Sequence, residues 1–254
     1  MSAAPRHPNG TSPISISLRP VAPDDVATLV DVHTAAFRSD QFSNLMLLNR
    51  DQNAHQALML KSIQQWISDP AAKLTKAVND EGQTIGWSCW ISKGADTPGD
   101  SVATPQPVTE KKPEDAQKRE PETKQPEQQP AQKQDPSRAL GGLMYKDMVS
   151  MEAKHLSGKR YMVLQALATE PKYQGREVAT KLVKNGLEAI DSEGLPCWIH
   201  ASPSSYAIYE KAGFEVVGKN VYDLAEWAPG GKDGNRGWGN YAFRYMLRPA
   251  QHDH

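Results

Sequence analysis

The sequence predicts one mixed α/β domain, a sheet with helices on both sides. Three observations carry this. In the second half of the chain, apolar runs of strand length alternate with runs of helical period, in the order strand, helix, strand, helix, strand. The first half supplies three more strands. Between the halves, residues 93–138 contain no Ile, Leu, Met, Phe, Trp or Tyr, and neither flank looks complete by itself.

The elements follow in order. Ile14-Ser15-Ile16-Ser17-Leu18 alternates apolar and polar, a strand pattern. Pro23 with Asp24 and Asp25 opens a helix, because Pro fits its first position and acids suit its positive end. Val26, Leu29, Val30, His33 and Phe37 mark one face of that helix. A second helix, from about Asp51 to Ile67, carries Leu58, Leu60, Ile63, Trp66 and Ile67. Strands at Leu74 to Val78 and Thr84 to Ile91 are joined by the turn Asn79-Asp80-Glu81-Gly82. Leu140 to Leu156 reads as a helix, and Tyr161 to Thr169 as a strand covered on both faces. The helix up to about Ser192 places Val178, Leu182, Val183, Leu187 and Ile190 on one stripe, and Gly194 and Pro196 stop it. Strands at Pro196 to Ala201, Phe214 to Val217 and Tyr241 to Leu247 complete the set, with a short helix over Ser204 to Lys211.

Composition narrows the function. The chain has 254 residues, of which 38% are hydrophobic, and 29 Lys+Arg face 30 Asp+Glu, against the strong basic excess of a nucleic-acid binder held by charge. No run approaches the roughly 20 apolar residues that span a bilayer, and the polar segment Met1 to Ser12 lacks the apolar core of a secretory signal. Two cysteines, Cys89 and Cys197, are too few for a disulfide framework or a CxxC zinc site, and no metal site is expected. The expectation is a cytoplasmic protein without nucleic-acid or membrane partners. The Pro-, Glu-, Lys- and Gln-rich segment 93–138 cannot offset its chain entropy by burial, so it reads as a disordered insertion. The predicted organisation is a flexible tail over 1–12 and a single domain over 13–249, interrupted by that insertion.

The window Leu167-Ala168-Thr169-Glu170-Pro171-Lys172-Tyr173-Gln174-Gly175-Arg176-Glu177-Val178-Ala179-Thr180 ends a strand, turns, and opens a helix with small or flexible residues. Unpaired backbone N–H groups at a positive helix end form a ready seat for a pyrophosphate, although any strand–helix turn shares part of this geometry. The window resembles the signature of the GNAT N-acetyltransferase superfamily. Leu167-Ala168-Thr169 matches its apolar triplet, Pro171 and Tyr173-Gln174-Gly175-Arg176 its connection, and Ala179 its last small position. Ala201-Ser202-Pro203 followed by Ile208-Tyr209-Glu210-Lys211-Ala212-Gly213-Phe214 resembles the family's strand end and Tyr-x-x-x-Gly-Phe helix, at the family's spacing.

This resemblance implies a mostly antiparallel mixed sheet whose strands Tyr161–Thr169 and Pro196–Ala201 splay apart and hold acetyl-CoA. Backbone groups of Leu167 and Thr169, flanking Ala168, would pair with the pantetheine arm. The N–H groups from Gln174 through Gly175, Arg176, Glu177, Val178 and Ala179 to Thr180 would hold the pyrophosphate, and Ser202 would hydrogen-bond the cofactor. Tyr209 would protonate the departing thiolate. Tyr206 is a less specific lining candidate. One departure stands out: Glu177 occupies the position of the first motif glycine, where an inward acid would repel a phosphate. Its side chain is compatible with pointing outward in the helix's first turn, and Arg176 is placed to neutralise it or to reach a phosphate.

A general base is not legible: Gln165 stands where many members carry an acid, and Glu170, His200 and His33 remain open as proton relays. Trp227, Trp238 and Tyr222, around the Gly-rich stretch Pro229–Asn240, are candidate acceptor contacts. The implied function is direct acetyl transfer to a primary amine of a small molecule, with a homodimer as one open state of assembly. Two other readings are a catalytically silent acyl-CoA-binding module and an insertion that docks a partner.

Overall fold

Seven strands form one sheet in the order β1-β2-β3-β4-β5-β7-β6. The computed structural model describes residues 14–48, 50–94, 136–228 and 237–251. The expected flexible tail at 1–12, and all of the expected insertion except its two ends, lie outside the described residues, as does most of the Gly-rich stretch. At those ends, Lys93 and Gly94 are described and the chain is helical again from Pro136.

The strands are β1 (Ser17–Pro20), β2 (Ala72–Val78), β3 (Thr84–Lys93), β4 (Tyr161–Thr169), β5 (Cys197–Ala201), β6 (Glu215–Asp223) and β7 (Asn240–Arg248). All neighbouring strands are antiparallel except β4 and β5. The helices are α1 (Val26–Phe37), α2 (Gln41–Leu47), α3 (Ala54–Ser68), α4 (Pro136–Leu156), α5 (Val178–Asp191), α6 (Tyr206–Lys211) and α7 (Leu224–Trp227). None of the described helices is long and apolar enough to cross a membrane.

Helices cover both faces. On one, Leu29 and Val30 of α1 and Ile63 and Trp66 of α3 pack on Trp87, Cys89 and Ala168. The Trp87 indole N–H, buried there, donates to the Leu29 carbonyl at 3.0 Å. On the same face Leu156 of α4 lies against Val163, Trp198 and Tyr245. The opposite face carries α5 and α6, whose Val183, Leu187, Ile190 and Tyr209 close over Leu164, Ile199 and Met246. The whole predicted stripe of α5 is buried: Val178, Leu182, Val183, Leu187 and Ile190. Gly186 lets this helix approach β3, because a Cβ there would run into the Trp90 indole.

Several boundaries differ from expectation. The first strand pairs over Ser17–Pro20 and not over Ile14 to Leu18, whose Ile14 and Ile16 instead pack against Ala77 and Ile85. Pro23–Asp25 forms a 3-10 turn before α1. The strand expected to end at Val217 continues to Asp223, because β7 pairs with it along its whole length. The short helices α2 and α7 were not anticipated.

Candidate active site

β4 is continuous on its β3 side and open on the other. It pairs with β5 only at Met162 and Val163. The register with β3 pairs Leu164 with Trp90 and Ala166 with Cys89, which leaves Gln165 as an extra residue in a bulge. A bulge bends and further twists its strand, and beyond it β4 and β5 part. The Glu170 N–H donates to Ile85 on the β3 side. In a ladder the backbone edges alternate, so Leu167 and Thr169 turn their N–H and C=O groups to the gap. The Thr169 carbonyl accepts a bond from the Gln174 side chain at 3.3 Å, and the Thr169 hydroxyl is buried without a hydrogen-bond partner among the described residues.

The gap widens into a cleft of about 1440 Å³ that reaches both faces of the sheet. Of the residues expected to bind the cofactor, Leu167, Ala168, Thr169, Gln174, Gly175, Glu177, Val178, Ala179, Thr180 and Ser202 all line it. Arg176 does not: its guanidinium lies over the Tyr173 ring, 5.7 Å from the centroid. The Tyr173 hydroxyl accepts a bond from Asn79 at 3.0 Å, which pins the connection to the β2–β3 hairpin. Val178 is buried in the core, so it offers the cleft its backbone and not its side chain.

Glu177 is the sole non-glycine among the described residues with a left-handed backbone, at φ 64° and ψ 9°. It caps α5 through its backbone alone: its carbonyl accepts from Lys181 at 2.9 Å, and its side chain makes no capping bond. The side chain is exposed. The backbone thus adopts the conformation glycine favours at that motif position, at a strain cost of roughly 1–2 kcal/mol.

Tyr209 of α6 lies in the same cleft, on the far side of the gap from β4. Burial pushes its hydroxyl up to about 12, and a hydrogen bond with Ser205 pulls it partly back. Ser205 is also 2.9 Å from the Ser202 hydroxyl, so Ser202, Ser205 and Tyr209 form a chain of hydroxyls at the start of α6. Ser205, absent from the sequence reading, is legible afterwards as the residue one helical turn before Tyr209. Tyr206 does not line the cleft and stacks under Arg244, 3.8 Å from guanidinium carbon to ring centroid.

The open base candidates fare differently. Glu170 does not line the cleft. His33 does, but burial, with His55 adding repulsion, pushes its imidazole down to about 3. Its ring stacks on Phe37 at 4.4 Å, and its Nδ1 is buried without a partner among the described residues. His200 also lines the cleft; burial pushes it down to about 4 against the upward pull of Glu152. Both are neutral, weak bases at neutral pH. Trp227 and Tyr222 lie away from the cleft, in the α2–α4–β7 cluster, where the Tyr222 hydroxyl donates to Asp147 at 2.7 Å; Trp238 packs there too. In their place Asn240, Tyr241 and Phe243 of β7 and Asp40, before α2, line the cleft. Both cysteines are buried, and burial pushes the Cys197 thiol up to about 12 and raises Cys89 as well. Neither is set up as a nucleophile.

Comparison with known proteins bears on the fold. Residues 123–224 match the family model of the acetyltransferase (GNAT) domain. The fold is similar to arylalkylamine N-acetyltransferase 2 of Aedes aegypti, with a TM-score of 0.59, 13% identity, and 93% of this chain and 99% of that one covered. It is also similar to the histone acetyltransferase HPA2 and related acetyltransferase of Corynebacterium glutamicum, with a TM-score of 0.53, 17% identity, and 94% and 98% covered. No protein of curated function matches the sequence.

Proposed function

We propose, from the match of residues 123–224 to the GNAT acetyltransferase domain and from the GNAT-like sheet, that the chain is an acetyl-CoA-dependent N-acetyltransferase acting on a primary amine of a small molecule. One observation carries the reading: the free backbone edge of β4 leads into the N–H groups of α5, and Tyr209 lines the same cleft. The edge at Leu167 and Thr169 suits an amide-bearing arm, which would add to it like a strand. The unsatisfied N–H groups from Glu177 to Thr180 suit a diphosphate. The Thr169 hydroxyl is a further polar group without a partner among the described residues, of the kind a bound ligand satisfies.

The chemistry then needs little from the chain beyond position and one proton. The neutral amine nitrogen attacks the thioester carbon, the C–N bond forms and the C–S bond breaks. Tyr209, protonated at any working pH, gives its proton to the departing sulfur. It regains one from the nitrogen through solvent, so the amine proton ends on the thiol. With both cysteines held as thiols, no acyl-enzyme is required.

Tyr209→Phe tests the reading. It removes one hydroxyl and little packing, so turnover should fall by roughly 10²–10⁴-fold while acetyl-CoA affinity is kept. Unaltered turnover under conditions where chemistry limits would overturn the assignment of Tyr209. Tight acetyl-CoA binding with no transfer to any of a broad panel of amines would favour the silent acyl-CoA-binding module.

A further inference from the structure

The cleft is divided in its charge. On the α5–α6 side, side chains of both signs line it: Lys184, Lys211, Glu177 and Glu188, with Asp191 held by Arg248. On the side walled by α1, α2, α3 and the start of β7, Asp40 is the sole charged side chain among the described lining residues, since His33 and His200 are neutral and Arg248, at the far end of β7, pairs with Asp191. Around it stand the aromatic and apolar side chains of Phe37, Phe42, Met59, Trp66, Tyr241 and Phe243, with Ser39, Gln41, Ser43, Ser62 and Asn240 as neutral polar members of the same wall. Three of the rings form a row, with Phe42 and Tyr241 at 5.4 Å and Tyr241 and Phe243 at 6.4 Å between centroids.

Asp40 is fixed before any ligand arrives. Its Oδ1 accepts the Ser43 N–H at 2.8 Å, capping α2, and its Oδ2 accepts the Tyr241 hydroxyl at 3.2 Å. A carboxylate can accept about four hydrogen bonds, so two directions remain for a donor from the cleft. One fixed negative charge beside a row of aromatic rings selects a ligand with one positive charge and a flat apolar body. A second cation would be desolvated with no anionic partner, and a body without a flat apolar face would leave the rings uncovered.

We propose that this side of the cleft binds a monocationic primary amine bearing an aromatic ring, with the ammonium on Asp40 and the ring between Phe37, Phe42 and Phe243. The inference rests on the transferase reading for which side of the gap the amine enters, but its test does not depend on turnover. Anchoring the ammonium orients the nitrogen, and one proton must leave to solvent before attack. Polyamines, amino sugars and lysine-rich peptide tails are poor ligands for the same compartment.

The test is titration calorimetry on the full chain saturated with coenzyme A, using 2-phenylethylamine, n-butylamine, spermidine and glucosamine as probes. 2-Phenylethylamine should bind at least about 10-fold more tightly than the other three. Asp40→Asn keeps the helix cap, since Asn and Asp cap equally well, but removes the charge. It should weaken 2-phenylethylamine by about 10-fold or more and leave coenzyme A affinity unchanged. Phe42→Leu, which touches neither the charge nor the cap, should narrow the gap between 2-phenylethylamine and n-butylamine. Tighter binding of spermidine or glucosamine, or full 2-phenylethylamine affinity in both variants, overturns the proposal. Asp40-dependent binding without acetyl transfer would uphold it and overturn the transferase reading. Acetylation of spermidine in preference to 2-phenylethylamine would do the reverse.

Discussion

The indole N–H of Trp198 donates to Nε2 of His200 at 2.8 Å, two residues apart on the same face of β5. An indole nitrogen can only donate, so Nε2 holds the lone pair and the imidazole proton sits on Nδ1. The second neighbour of Nε2 is Glu152, at 3.9 Å, itself held by Tyr161 at 2.6 Å and Lys93 at 2.9 Å. The indole thus occupies the lone pair that a proton would have to take. Trp198→Phe frees it beside the Glu152 carboxylate, and the His200 pKa should move up from its depressed value. Titration of the imidazole by NMR measures this, and an unmoved midpoint would show that burial alone sets it.

Acid should destabilise the protein early. His33 and His200 stand at about 3 and about 4, below their ordinary 6.5. The unfolded chain therefore binds more protons than the folded one below pH 6.5, and stability falls as pH drops through that value toward the folded-state values. The loss is about 2 kcal/mol for each imidazole by pH 5. Melting temperatures across pH 7 to 4.5 should show the decline, and His33→Phe should remove about half of it. A flat profile in wild type would mean that these rings are hydrated in the folded chain.

Gly186 reverses a general rule. Gly→Ala inside a helix usually gains about 1 kcal/mol. Here the new Cβ would lie 2.9 Å from Cδ1 of Trp90 and closer still to Nε1 and Cε2. Trp90 is buried between α5 and the sheet, and its ring has little room to yield. Gly186→Ala should cost about 1–3 kcal/mol, seen as a lowered urea midpoint with an unchanged slope. A gain in stability would show that α5 can slide.

Glu177 predicts two separable single-residue effects. Glu177→Gly relieves the left-handed strain and should raise stability by about 1 kcal/mol, or a melting temperature 2–4 °C higher. Glu177→Gln keeps the strain and removes only the charge. It should tighten acetyl-CoA about 2–5-fold at low salt, with the gain fading as salt rises. Weaker acetyl-CoA binding by the Gln variant would give the carboxylate a contact beyond its exposed position at the helix start.

What the sequence discloses depends on how local the cause is. The α5 stripe and the β4 apolar run are set by period and burial, and both were readable residue by residue. α2 is seven residues long, too short for its period to stand out, and its N-cap Asp40 reads like any loop acid. The Gln165 bulge is set by β3 and β4 together, so no pattern within β4 announces it. The aromatic wall joins α1, α2 and α3 to β7 across most of the chain, and Tyr241 meets Asp40 over a separation of 201 residues. Trp227 and Tyr222 looked suited to a ligand because they are aromatic and near a Gly-rich stretch. Their burial beside α4 is a tertiary outcome. The left-handed turn at Glu177 has no local signal either, since glutamate does not ask for positive φ.

The order of the sheet also governs how a nascent chain can assemble. β7 comes after β6 in the chain, yet it lies between β5 and β6. Until residues 240–248 emerge, β6 has no partner at all and β5 has only its two rungs on β4. The half-sheet β1–β4 can close earlier, as each of its ladders joins strands already made. Synthesis therefore passes through a stage with one finished half-sheet and two bare strands, and edges of that kind recruit other chains. A chain truncated just before residue 240 should be its most aggregation-prone form, and restoring the nine residues of β7 should end that exposure.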